Sequence, residues 1–137
     1  MNSEKIVLDS YAVIAYFENE VGAKKVEEFL WQAELGKRLL LMSIINWAEV
    51  YYALYRSKGE SEAEESILIM DQLPIRLVNV DRSITYQAAR LKARYSVALG
   101  DCFAAALAIA NKGQILTGDP EFKDLEEEVS ISWLKSI

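Results

Sequence analysis

The feature that most restricts the fold of this chain is an alternation. Short, β-like apolar runs are separated by longer segments whose apolar residues recur at helical spacing. Ile6-Val7-Leu8 is the first run and ends at Asp9. A helix is expected from Ala12 to Phe17, then a second in which Val21, Val26, Phe29 and Leu30 share a face, ending near Leu35 at Gly36. Leu39-Leu40-Leu41-Met42 reads as the next strand, and Ser43 as the N-cap of a helix from Ile44 to Arg56. The apolar stripe of that helix is Trp47, Val50, Tyr51 and Leu54. Gly59 separates it from a helix over Ser61 to Leu73, which Pro74 stops. Ile75 to Val80 is a third strand, and a helix starting at Asp81 or Ser83 reaches about Ser96. An almost wholly apolar, buried helix follows from Cys102 to Asn111. Gln114 to Thr117 and, after a short turn, Val129 to Trp133 are the last strands. Strands joined by helical crossovers specify an α/β fold with a central, mostly parallel sheet of four to five strands, covered on both faces. The 137 residues carry no repeat, linker or low-complexity tract, so one domain spanning residues 1–137 is expected.

Composition removes several kinds of chemistry. The chain has no histidine, which excludes Ser-His and Cys-His couples, an imidazole base and any His-containing zinc site. Cys102 is the only cysteine, so no internal disulfide can form. No apolar run is long enough to cross a bilayer. Residues Met1 to Lys5 show neither a basic n-region nor a cleavage site, and the expected compartment is the cytoplasm. The net charge of −6 argues against wrapping of duplex DNA by bulk electrostatics, but it averages over faces. The segments Glu60–Asp71 and Asp119–Glu128 are acidic and read most simply as solvated surfaces. Between them Arg82, Arg90, Lys92 and Arg94, with Tyr86 and Tyr95, form a stretch without an acid that could contact the phosphates of RNA.

In a parallel α/β sheet, ligands bind beyond the carboxyl ends of the strands. Asp9 stands directly after strand one, Asp119 just past the Thr117 end of strand four, and Glu49 under two turns into the helix that follows strand two. Each acid also has a plainer reading. Asp9 and Asp119-Pro120 suit turns, and Asp101, after Gly100 and before an apolar helix, suits an N-cap. Glu49 is the hardest to explain away, because it borders the buried stripe of its helix, where a carboxylate needs a partner. Asp101 reaches the same edge only if the preceding helix carries the chain back there. Carboxylates brought together repel unless a cation offsets them, and oxygen-only ligation selects Mg²⁺ or Mn²⁺. Ser10, Ser43 and Thr117 lie close enough in sequence to orient such acids.

Four segments in order carry a family resemblance. Ile6-Val7-Leu8-Asp9-Ser10 resembles the opening of PIN domains, and Ser43 to Leu54, with Glu49 inside, their second motif. Leu99-Gly100-Asp101-Cys102-Phe103-Ala104-Ala105 resembles the third, and Leu116-Thr117-Gly118-Asp119-Pro120-Glu121-Phe122 the fourth. Nearly the whole chain is covered, at the length usual for VapC-type toxins. The resemblance implies a PIN-like three-layer α/β/α sandwich. It also implies that Asp9, Glu49, Asp101 and Asp119 bind Mg²⁺ or Mn²⁺ and catalyse RNA hydrolysis, with Asp101 brought to the acidic pocket. It further implies a homodimer and a VapB-like antitoxin lying in the active-site groove, for which Trp47, Tyr51, Tyr52 and Tyr55 offer a contact surface. One departure stands out: Tyr11 occupies a position where the family often has a small polar residue.

Other readings of the same sheet fare worse. A haloacid-dehalogenase-type site wants a second Asp where Tyr11 stands, and a receiver-type domain wants an acid pair and a late lysine that have no counterpart here. The remaining alternative is a catalytically inactive PIN-like scaffold that binds RNA or a partner, against which the presence of all four acids counts.

Overall fold

The computed structural model describes residues 4–135; the leading residues read above for a signal lie outside this span, except Glu4 and Lys5. The first strand, β1 (Glu4–Leu8), runs into α1 (Ser10–Phe17), and α2 (Ala23–Glu34) follows. Gly36 takes the left-handed conformation at φ 76° that lets the chain leave α2. Next come β2 (Arg38–Ser43) and α3 (Ile44–Lys58), capped by the Ser43 hydroxyl, which accepts a hydrogen bond from the Ile45 N–H at 3.2 Å. Helix α4 (Glu60–Met70) leads to β3 (Ile75–Val78), which is shorter than the alternation predicts because Asn79 and Val80 leave the sheet. Asp81 caps α5 (Arg82–Arg94), its carboxylate accepting from the Ile84 N–H at 2.8 Å. Helix α6 (Leu99–Ala110), β4 (Gln114–Thr117), a 3-10 helix (Pro120–Leu125) and β5 (Ser130–Trp133) complete the order.

All five strands are parallel, in the order β3-β2-β1-β4-β5. The chain builds outward from β1 on one side and then crosses to the other, so β1 and β4 are neighbours although most of the sequence separates them. Side chains alternate along each central strand. Ile6, Leu8, Leu40, Met42 and Leu116 enter one core with α1 to α4, while Val7, Leu41 and Ile115 enter a second with α5 and α6. The result is an α/β/α sandwich. Helix α6 is buried from Gly100 to Ala108, as its nearly unbroken apolar sequence requires. Among the described residues no helix is long and apolar enough to cross a membrane.

Helices α5 and α6 pack antiparallel. Ser83, Ile84 and Gln87 near the start of α5 share a groove with Ala106, Ile109 and Ala110 at the end of α6. At the opposite end, Lys92 Nζ donates to the Val97 carbonyl at 2.8 Å, just before α6 begins. Thus α5 returns the chain to the carboxyl edge of the sheet, and α6 starts there.

Candidate active site

The crossover point between β1 and β4 lies where a ligand site is expected in such a sheet. Asp9, the residue after β1, is buried and caps α1: its Oδ1 accepts from the Ala12 N–H at 2.9 Å. Thr117, the last residue of β4 and fully buried, donates its hydroxyl to Asp9 Oδ2 at 2.5 Å. The same hydroxyl oxygen accepts from the Asp119 N–H at 3.0 Å. One side chain thereby ties the ends of both strands together. Asp119 in turn caps the 3-10 helix, accepting from the Glu121 N–H at 3.0 Å.

Asp101 is placed differently from the N-cap reading. Ala98 holds the cap position, and α6 begins at Leu99, so Asp101 sits within its first turn. Its side chain is therefore not spent on capping. It is buried, and its Oδ2 has no hydrogen-bond partner. An oxygen of Asp101, one of Asp119 and one of Glu121 lie within 4.8 Å of one another. Glu121 also accepts from the Ala98 N–H at 3.3 Å, which holds the 3-10 helix against the start of α6. In the sequence, Glu121 stands out only as part of the fourth motif. Its signal was spacing, two residues beyond Asp119 on a tight turn.

Glu49 approaches from α3. Asn46, one turn earlier and buried, donates from Nδ2 to Glu49 Oε1 at 2.8 Å and to the Gly100 carbonyl at 3.1 Å. The Glu49 carboxylate lies so close to Gly100 that a Cβ there would meet its Oε2 at 2.2 Å. Gly118 is crowded in a similar way by Tyr11, whose Cε1 would lie 2.4 Å from an added Cβ. Tyr11 therefore occupies the room left by the missing side chain of Gly118, beside the acids. Ser43 caps α3, and neither it nor Ser10 makes a hydrogen bond to an acid among the described residues.

The electrostatics follow from this crowding. Burial, aided by the charges of Asp119 and Glu49, pushes the Asp9 carboxyl up to about 7 despite the hydrogen bonds from Thr117 and Ala12. Asp101 is pushed up to about 8, chiefly by burial and then by Asp119, Asp9, Glu121 and Glu49. The charges of Asp9, Glu49, Asp101, Asp119 and Glu121 thus influence one another. The group close enough to share one ion comprises Asp101, Asp119 and Glu121, without Asp9 or Glu49. The N-terminal ends of α1 and α6 both meet the cluster, and their N–H dipoles partly offset its charge. Carboxylates so placed and so perturbed make this edge a candidate functional site.

A family model describing the PIN domain matches residues 6–128. The chain belongs to the PIN-domain family. Solved structures share this fold at low sequence identity. A DNA-bound VapBC from Salmonella typhimurium is 15% identical, with a TM-score of 0.75, covering 96% of this chain and 99% of that one. A toxin–antitoxin complex from Klebsiella pneumoniae is 18% identical with a TM-score of 0.70 and the same coverage, 96% and 99%. VapC20 from Mycobacterium tuberculosis, described as a toxin that cleaves the sarcin-ricin loop, is 16% identical with a TM-score of 0.68, covering 86% and 92%. Comparison with curated protein sequences returned no match.

The basic residues of this PIN domain are dispersed. Lys92 is engaged with Val97, and Arg94 pairs with Glu128 at 3.4 Å, so the acidic run near the C-terminus meets the basic end of α5. Arg90 lies 5.8 Å from the Tyr86 ring, and Arg82 is exposed at the end of α5 away from the acids.

Proposed function

We propose that this PIN domain is a Mg²⁺- or Mn²⁺-dependent endoribonuclease and the toxin of a VapBC-type pair. The observation that carries the reading is Asp101: a buried carboxylate oxygen with no hydrogen-bond donor, set among four other acids, is one that a cation would satisfy. The donor set fits a hard ion, since it consists of carboxylates with no sulfur or imidazole. Asp9, Glu49, Asp101 and Asp119 would hold the metal, with Glu121 a further oxygen donor. Both Asp9 oxygens already accept hydrogen bonds, but a carboxylate has about four lone-pair sites and keeps room for a ligand bond. Once bound, such an ion activates water and stabilises the charge that builds on phosphate during in-line displacement.

The chain's own groups would then orient and screen. Thr117 fixes the direction of Asp9 and the backbone of Asp119 together. The N-cap position of α1 and the first turn of α6 set Asp9 and Asp101 on the ends of rigid elements. RNA would approach across the carboxyl edge of the sheet. Of the basic residues, Lys92 and Arg94 stand on the end of α5 nearer the acids, with Arg90 a turn earlier, and would meet its phosphates first, whereas Arg82 is at the far end of the helix. The solved relatives described as toxin–antitoxin complexes support an antitoxin partner, for which exposed Tyr52 and Tyr55 on α3 are the available aromatics. Trp47 and Tyr51 stack on each other, with ring centroids 6.5 Å apart, and Tyr55 packs edge-on against Tyr51 at 5.9 Å.

The test is cleavage of a structured RNA with Mg²⁺ or Mn²⁺, its loss with a chelator, and its loss in Asp101→Asn with the fold retained by circular dichroism. Full activity in Asp101→Asn would overturn the site. Absence of both Mn²⁺ binding and cleavage in the unaltered chain would favour an inactive scaffold. Light scattering reads the proposed homodimer, and a strict monomer would remove it.

A further inference from the structure

We propose that Asn46 is the positioning residue for Glu49, and that it locks the Glu49 carboxylate to the first turn of α6. The inference rests on the metal-site reading above but concerns a residue outside the acid set. Asn46 is fully buried, and its amide serves two acceptors on different elements: Glu49 Oε1 on its own helix and the Gly100 carbonyl on α6. Both partners can only accept, so the amide must present its nitrogen to them. That leaves Oδ1 buried with no donor. A buried acceptor without a partner is unfavourable, and a core chosen for stability alone would replace the amide. The retained cost is explained if the amide is there to hold a carboxylate in one direction.

Gly100 completes the device. The Glu49 carboxylate rests where a Cβ of residue 100 would stand, with Oε2, Cδ and Oε1 at 2.2, 2.7 and 2.8 Å from that position. Hydrogen-bonded from one side and admitted by a missing side chain on the other, Glu49 has one seat. That seat is one residue from Asp101, so Asn46 fixes the spacing between an acid of α3 and an acid of α6. A glutamate has three side-chain torsions to immobilise, and an exposed one would sample many directions.

Two variants displace the carboxylate independently. Asn46→Ala removes the hydrogen bonds, and Gly100→Ala fills the seat at a helical position where alanine is favoured. By calorimetry with Mn²⁺ alone on the full chain, each is expected to weaken binding on the order of tenfold, the range for supports of metal ligands. In a Glu49→Ala background neither should weaken it further. Losses that multiply with Glu49→Ala, or unchanged Mn²⁺ binding in both variants, would overturn the proposal. A cycle of thermal melts on the metal-free chain keeps the inference separate from the metal reading. Asn46→Ala and Glu49→Ala should shift Tm non-additively, since they share one hydrogen bond. Additive shifts overturn the lock whether or not metal binds. If the unaltered chain binds no Mn²⁺ while the melts remain non-additive, the function reading fails and the lock stands.

Discussion

Thr117 is where the site's geometry is most concentrated. Its hydroxyl donates to Asp9 Oδ2 and accepts from the Asp119 N–H; Thr117 and Asp9 are buried, and Asp119 is half-buried. Thr117→Val keeps the shape and removes both bonds. The expected loss is about 1–3 kcal/mol of stability, since a buried acceptor on Asp9 and a half-buried N–H on Asp119 are left unpaired. RNA cleavage should fall as Asp9 loses its orientation, and retention of full cleavage together with unchanged Tm would show the hydroxyl to be dispensable. This role was legible in sequence only as proximity: Thr117 stands two residues before Asp119, but nothing local says that β4 lies beside β1. Glu49 was legible as a carboxylate in need of a partner. Asn46, one turn earlier on the same helix, was within reach, but its second bond and the seat beside Gly100 were not legible, because they form only when α3 and α6 pack. Ser10 and Ser43 were candidates by the same proximity argument, and their lack of hydrogen bonds to the acids shows how little that argument discriminates.

Among the elements, α6 links the core to the chemistry. Apolar patterning identified it as buried, and the strand-and-helix alternation gave nearly every element within a few residues. The N-terminus of α6 was misread because Asp is a common N-cap and Ala is a poor one. The chain instead lets Glu121, from the 3-10 helix, accept from the Ala98 N–H, which frees Asp101 to face the other acids. The direction of α6 was equally hidden, since it depends on α5 returning the chain to the carboxyl edge. The small residues of α6 let it lie close on the sheet: Ala104, Ala105, Ala106 and Ala108 are each fully buried. Ala105→Leu adds three carbons to this close packing and is expected to destabilise the fold by about 1–3 kcal/mol. Because α6 carries Asp101, Mn²⁺ affinity should drop as well. Destabilisation in urea melts with metal affinity unchanged would mean that the helix adjusts without moving its first turn.

For the whole molecule, the acid cluster makes stability depend on pH in a direction opposite to that of ion-paired acids. Asp9 and Asp101 have carboxyls raised from an ordinary 3.8 to about 7 and about 8 by burial and by each other's neighbours. Between these limits the folded chain holds protons that the unfolded chain has released. Stability therefore falls as pH rises through that window. Below about pH 4 both states are protonated and the penalty is absent; above about pH 8 it is fully present. The chelator-treated protein should accordingly show a Tm that declines from pH 5 to pH 8. General repulsion in a chain of net charge −6 acts in the same direction, so the specific contribution needs its own control. The double variant Asp9→Asn, Asp101→Asn removes the two buried charges and should flatten most of the decline, while other surface acids stay in place. Mn²⁺ binds the ionised cluster, so it should raise Tm more at pH 8 than at pH 5.5, and not at all in the double variant. A metal-free Tm that holds level or climbs across the window would mean that these carboxyls are solvated enough to ionise freely. An unchanged slope in the double variant would assign the decline to the surface instead.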